Sequence, residues 1–264
     1  MRFGEVGQIG VRFEGGSRSR AENTRSSQPL VSVITVVFRA ASQMAVTIDN
    51  VLAFKDSGAD IEYIVIDGGS EDGTRNVISA HDDRIDYWLS EPDGGIYDAM
   101  NKGIALARGT FVIHINAGDR LLRLPLDELE ASDADVAAVG FPVLMSNGDC
   151  RTPTNDWRRR IRNGLHHQGT FYRRTADLVY DTRYRTFADF DLNQKLAQRH
   201  RVVCRSGAVA QHSLDGVSND RSRFAEVYTI VARNQGMAWV PVCWLRFKLE
   251  GLRWRLKRLF GSSL

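Results

Sequence analysis

The chain has 264 residues, of which 43% are hydrophobic and 25% charged, with a formal net charge of +3. That length holds one large domain or two small ones around a sizeable core, and the composition is ordinary for a soluble globular protein. The first 28 residues carry five Arg against three Glu, and residues 245–258 carry six Lys/Arg against Glu250 alone. The body between is therefore mildly acidic, which argues against a nucleic-acid-binding core.

Residues 1–28, rich in Gly, Ser and Arg without sustained periodicity, read as a disordered leader. The run VSVITVVF (31–38) is near-continuous, apolar and β-branched, the pattern of a strand buried on both faces of a parallel sheet. Residues 42–54 predict a helix with Met44, Ile48, Val51 and Leu52 on one side. A second buried strand at 61–66 runs into Asp67-Gly68-Gly69-Ser70, followed by a short helix at 71–80 and a short strand at 85–89. After the turn Asp93-Gly94-Gly95, the spacing of Ile96, Met100, Ile104 and Ala107 predicts an amphipathic helix that Gly109 stops. The strand FVIHI (111–115) then empties into Asn116-Ala117-Gly118-Asp119. In open α/β sheets ligands collect outside such strand ends. The alternation of strand and helix predicts a mostly parallel central sheet flanked by helices.

Beyond Asp119 the rhythm loosens. Helix is expected at 126–131, 189–199 and 222–234, strand at 135–144, 169–173 and 201–210, and a polar, Arg-rich connection at 145–164. Cys150, Cys204 and Cys243 form no CxxC pair, so a disulfide framework or zinc site is not expected, and a reducing cytoplasm fits. No signal peptide is visible, and no apolar run approaches the ~20 residues of a membrane span.

Seven segments together resemble a known family. TVVFR (35–39), IDGGSEDGT (66–74), SEPDGGIYDAMNKGIALARGT (90–110), INAGD (115–119), HHQGTFYRR (166–174), FADFDL (187–192) and DGVSN (215–219) are similar, in order, to bacterial family 2 glycosyltransferases. The likeness extends to the branch that builds exopolysaccharides of the colanic-acid type. It implies an α/β GT-A fold over 29–238, a nucleotide-sugar donor, a divalent metal (Mg2+ or Mn2+) and inversion at the anomeric carbon.

Sugar transfer puts negative charge on a departing nucleoside diphosphate, and a metal bridging its oxygens stabilises that charge. The resemblance assigns the metal to Asp119, although the family's usual second loop carboxylate is replaced by Gly118; the alternative is that Asp119 only closes a turn. It places Phe38, Arg39, Asp67, Asp93 and Asn101 around the donor. Phe38 would stack on the base or else pack in the core, and Asp93 would reach the donor or else cap the helix. Gly68 stands where the family often has another Asp.

Inversion also needs a base on the face away from the diphosphate, and the resemblance gives that role to Asp189, with helix capping as the alternative. Asp191, two residues on, would point elsewhere and act locally. His167 and Gln168 would line the acceptor side. Were His166 and His167 on a strand, they would face opposite ways and could not share one ion. His212 and residues 216–218 would close over the sugar.

Leu245, Leu249, Leu252, Leu256 and Leu259 recur at steps of four and three among Arg and Lys, with Trp244 and Trp254 nearby. Residues 239–264 thus read as a basic amphipathic helix, lying either on an anionic membrane surface or with its leucines docked on the domain. The expectation is a cytoplasmic enzyme, peripheral on the inner face of the plasma membrane, acting on a glycolipid or polyprenyl-linked acceptor. The alternatives are a non-catalytic nucleotide-sugar-binding module and a sugar nucleotidyltransferase, whose Gly- and Lys-bearing first loop is not apparent in FRAASQ.

Overall fold

The computed structural model describes residues 11–20, 27–213 and 224–260, with side chains described up to residue 251. In chain order the amino-terminal half contains β1 (Phe13–Gly15), β2 (Val31–Val37), α1 (Ala41–Asp56), β3 (Ile61–Asp67), α2 (Thr74–Ser79), β4 (Tyr87–Ser90), α3 (Ile96–Leu106) and β5 (Phe111–His114). The remainder contains β6 (Arg120–Leu121), α4 (Leu126–Glu130), β7 (Val136–Gly140), β8 (Val143–Met145), β9 (Cys150–Arg151), β10 (Thr170–Arg173), α5 (Ala188–Arg199), β11 (Arg201–Cys204), β12 (Ala210–His212), α6 (Phe224–Gln235) and α7 (Val240–Phe260).

Eight strands form one sheet in the order β1-β4-β3-β2-β5-β10-β7-β11. The β4-β3-β2-β5 block is parallel, as the alternating strands and helices require. The expected mostly parallel sheet is nevertheless mixed. β10 inserts antiparallel between β5 and β7, and β1 pairs antiparallel with β4. All seven residues of β2 are buried. Alternate side chains serve the two faces: Ile34 and Val36 pack with α3, α5 and α6, while Val31, Val33 and Val37 pack with α1 and α2.

Met44, Ile48, Val51 and Leu52 are fully buried on α1, as the spacing predicts. On α3 Met100, Ile104 and the C-cap Ala107 are buried as expected, but Ile96 at its start is exposed and Tyr97 faces inward in its place. Gly103 lies at a close approach, where a Cβ would stand 2.5 Å from Ile34 Cγ2.

The expected leader is partly structured. Phe13–Gly15 adds an edge strand, and Arg18 reaches Glu62 at 3.0 Å and the Leu106 carbonyl at 3.0 Å. Glu62 is nearly inaccessible and also accepts from Ser32 Oγ and the Arg108 and Gly109 amides. A buried carboxylate requires such partners, and that requirement ties residues 11–20 to the domain. The rest of the expected leader, residues 1–10 and 21–26, lies outside the described residues.

A second sheet, β6-β12-β8-β9, is made of short strands. Its register pairs Ala210 with Leu121 and Gln211 with Arg120, so the next step sets His212 opposite Asp119. β10 pairs Tyr172 with Val112 and Arg173 with Phe111, so the residues preceding β10 run back toward the loop that follows β5. These two registers assemble the site.

Candidate active site

One end of the site lies at the carboxyl ends of β2 and β3. Phe38 is 57% exposed there, so the core-packing alternative is not what the structure shows. Arg39 stacks over its ring at 5.0 Å and has φ +51°, with its backbone N–H donating to Ser70 Oγ. A non-glycine residue in the left-handed region marks local strain at this strand end. Asp93 is half-buried, and this desolvation pushes its carboxyl above the usual range. Its Oδ1 accepts from the Gly95 amide at 2.8 Å. A Cβ on Gly68 would meet Asp93 Oδ2 at 2.6 Å and Phe38 Cδ2 at 3.2 Å. Asp93 thus occupies the space that a side chain at position 68 would need.

Two expected donor residues are used elsewhere. Asp67 is fully buried, and its carboxylate accepts from the Ser70 amide, Ser70 Oγ and Ser90 Oγ. It holds the turn after β3 and offers nothing to solvent. Asn101 is bonded to Tyr180, not to Asp93. Its amide pairs with both the carbonyl and the N–H of Tyr180, at 2.9 and 2.8 Å, clamping the chain that leads to α5.

The other end gathers around the loop after β5. Gly118 sits at φ +93°, a conformation that favours glycine and accounts for its presence where a carboxylate stands in the family pattern. Asp119 is 2% exposed. Its Oδ1 lies 2.8 Å from His212 Nδ1 and accepts from the Ser213 amide at 3.0 Å, while Oδ2 accepts from Gln168 Nε2 at 2.8 Å. His212, expected in a loop, instead ends strand β12. Residues 216–218, expected to close over the sugar, lie outside the described residues.

Among the described residues no cluster of three or more His, Cys, Asp or Glu could hold a metal. The donors present still fit a hard divalent cation. A carboxylate and an imidazole adjoin, and Gln168 Oε1 is buried without a hydrogen-bond partner among the described residues. Mg2+ or Mn2+ needs few protein ligands when substrate phosphates and water complete the shell.

His167 joins this loop to α5. Its Nε2 lies 3.2 Å from Asn116 Nδ2, and its Nδ1 lies 3.6 Å from Asp189 Oδ2. Asp189, in the first turn of α5, is 9% exposed. Its Oδ1 accepts from the Phe190 amide at 2.8 Å, and Oδ2 from Asn163 Nδ2 at 2.7 Å. Asp189 is not the helix cap, since Phe187 holds that position, although its carboxylate does bind an amide of the first turn. Asp191 is held by Lys195 and Asn234, a local role as expected.

His166 and His167 do not lie on a strand. Residues His167–Gly169 form a 3-10 turn, and the two rings stack at 5.4 Å and 19°. The His166 ring also lies 5.2 Å from that of His212. Burial and the two neighbouring imidazoles push His166 down to about 3, so it stays neutral. Asp119 and Asp189 thus border one cluster of imidazoles. A buried carboxylate beside an imidazole on one side, and a carboxylate in the first turn of a helix on the other, are groups able to serve a leaving anion through a cation and an attacking hydroxyl.

Sequence reasoning missed Asn163, which lies in the polar connection where no periodicity singles it out. Strand register would have paired His212 with Asp119, had β6 not been too short to read.

The model of glycosyl transferase family 2 matches residues 32–187. The chain belongs to that family. This glycosyltransferase is 45% identical over 123 residues to the uncharacterized glycosyltransferase Rv1514c of Mycobacterium tuberculosis, a match spanning 47% of this chain and 43% of the relative. The chain thus spans less than half the length of that relative. A PGL/p-HBAD biosynthesis glycosyltransferase of Mycobacterium bovis is 28% identical over 192 residues, 67% of this chain and 73% of its own. Among solved structures, glucosyl-3-phosphoglycerate synthase of M. tuberculosis, in complex with Mn2+, UDP-glucose and phosphoglyceric acid, superposes with a TM-score of 0.55 at 16% identity. That match covers 79% of this chain and 80% of the other. The fold of this glycosyltransferase is GT-A, an α/β unit with a mixed central sheet between helices. The family match ends two residues before Asp189, so what places that carboxylate at the site is geometry.

Proposed function

We propose that this glycosyltransferase moves a hexose-like sugar, with inversion, from a nucleotide-sugar donor to a glycolipid or polyprenyl-linked acceptor in cell-envelope polysaccharide or glycolipid synthesis. The observation that carries this reading is the convergence of Asp119 and Asp189 on one imidazole cluster. Phe38, Arg39 and Asp93 would hold the nucleotide. Asp119 and His212 would hold Mg2+ or Mn2+, which when bound stabilises the charge of the leaving diphosphate. Asp189 would take the proton of the acceptor hydroxyl as its oxygen bonds to the anomeric carbon and the bond to the diphosphate breaks. His167 and Gln168 would line the acceptor side.

The acceptor class is supported by the part of the M. bovis relative in PGL/p-HBAD biosynthesis, by the likeness to the colanic-acid branch, and by α7 as a site of attachment to the inner face of the plasma membrane. No helix among the described residues is long and apolar enough to cross a membrane. On α7, Cys243 is buried and Phe247 packs against the core, whereas Leu245 and Leu249 are about half exposed. The exposure of Leu245 and Leu249 supports attachment to a membrane over docking on the domain.

The test is transfer of labelled sugar from UDP-, GDP- and dTDP-donors to membrane glycolipid extract, with and without Mn2+. Product with inverted linkage is expected, and Asp119→Ala should lower metal-dependent turnover by about a hundredfold. Donor binding with no transfer under any metal would instead identify a nucleotide-sugar-binding module, a reading that the single loop carboxylate beside Gly118 favours.

A further inference from the structure

The polar connection after β9 contains a 3-10 turn, Trp157–Arg160, that the mechanism does not use. Trp157 is 57% exposed in a stretch carrying Arg158, Arg159, Arg160 and Arg162 against Asp156. Arg159 is bound to Asn155 and Arg162 to Thr154. The Arg158 guanidinium remains more than half exposed and, among the described residues, pairs with Asp156 alone, at 3.8 Å.

This turn abuts the carboxy-terminal helix, some 80 residues away in sequence. Arg246 Nη1 donates to the Ile161 carbonyl at 3.2 Å, Cys243 Sγ approaches the same oxygen at 3.6 Å, and the Arg160 guanidinium lies 4.8 Å over the Trp239 ring. Val242, Leu245 and Leu249 follow the three-and-four spacing of one helix face, roughly opposite Cys243 and Phe247. All three are at least 41% exposed, and Trp244 is 50% exposed.

We propose that the 157–162 turn and the outward face of α7 form one composite docking surface for an anionic lipid leaflet. Apolar and indole groups interleaved with excess cations are what such a leaflet takes up, through apolar burial together with attraction to its charge. A second copy of the chain would bring the same positive charge against itself. A nucleic acid would leave Val242, Leu245 and Leu249 unused. The placement also serves the reaction. Asn163, next after Arg162, donates to Asp189 at 2.7 Å, so the candidate base adjoins the docking turn and an acceptor rooted in the leaflet would meet it there. This inference rests on the membrane reading above for its occupant and adds the turn as a second point of attachment.

Flotation of the full chain with phosphatidylcholine vesicles, and with vesicles of phosphatidylcholine and phosphatidylglycerol at about 3:1, tests it. Binding only to the anionic vesicles, lost in high salt, is expected. Trp157→Ser with Arg158→Ala should weaken binding about tenfold, the arginine alone accounting for about fivefold, since a basic residue near an anionic surface contributes ~1 kcal/mol. Leu245→Ser with Leu249→Ser should weaken it at least as much, and donor binding should be unchanged in both variants. If the helix variant falls off and the turn variant binds like wild type, the composite surface is overturned while attachment by α7 alone stands. If wild type ignores anionic vesicles, or forms a dimer that does not float, both readings fall. Brominated phosphatidylglycerol gives an independent readout: it should quench wild type more than Trp157→Phe, and equal quenching would remove the turn from the surface.

Discussion

The two halves of this glycosyltransferase use their polar side chains differently. In the half up to β5, long buried strands impose the architecture, and several acidic or amide groups that look like ligands are used to hold backbone. Asp67 holds a turn, Asn101 clamps Tyr180, and Glu62 gathers four donors, Arg18 among them. In the half after β5 the strands are short and pair in both senses. There Asp119, His167, Gln168, Asp189 and His212 meet one another as well as nearby backbone amides. Buried polar groups must be satisfied wherever they are. Asp67, Glu62 and Asn101 meet that need by tying chain segments together, whereas Asp119 meets part of it with side chains that can themselves do chemistry.

That contrast is broken most directly at Asp189, where the largest effect is expected. Asp189→Asn keeps the shape and much of the hydrogen bonding but removes the base. Transfer should fall by about a thousandfold, within the range of general-base removal, while donor affinity measured by calorimetry is unchanged. Near-normal transfer would move the base elsewhere and leave Asp189 as a partner of the first-turn amide.

The scaffold half is probed through the segment that sequence composition misreads. Residues 11–20 lack periodicity, and the contacts that order them, the buried pair of Arg18 and Glu62 and the pairing of β1 with β4 among them, join positions no local pattern connects. Arg18→Ala leaves a buried carboxylate with its three remaining donors. The expected cost is about 2–3 kcal/mol, read as a lower urea midpoint at unchanged m-value. A midpoint equal to wild type would mean that the buried Glu62 does not depend on Arg18 as a partner.

The same division explains what was legible beforehand. Runs such as VSVITVV and IEYIVID announce the parallel core because seven consecutive buried residues leave no other reading. The motif blocks find Asp119, His167, Gln168 and Asp189, but not the insertion of β10 between β5 and β7, because strands of three or four residues carry too little pattern. Asp67 and Asp93 look alike in sequence, each set beside a Gly-Gly pair. Only the burial of one, and the space the other takes beside Gly68, separates them.

His114 sits on the seam, at the end of the strand both halves share. It is fully buried, edge-on to Tyr180 at 5.6 Å, and neither ring nitrogen has a hydrogen-bond partner among the described residues. Burial, and then the nearby His167, push its pKa down to about 3, so the folded protein holds it neutral. An unfolded histidine titrates near 6.5. The folded pKa is the lower one, so this stability is fully present above pH ~6.5 and drains away as pH falls toward about 3. By pH 5 the loss is about 2 kcal/mol, some 1.4 kcal/mol for each pH unit below the unfolded value. His114→Phe fills a similar volume with no group to protonate. Its urea midpoint should fall less than that of wild type between pH 7 and pH 5, by the equivalent of about 2 kcal/mol. Identical slopes would show that the imidazole finds a proton-stabilising partner in the native state. The seam would then be polar, and the division between a backbone-satisfying half and a chemical half would begin one strand earlier.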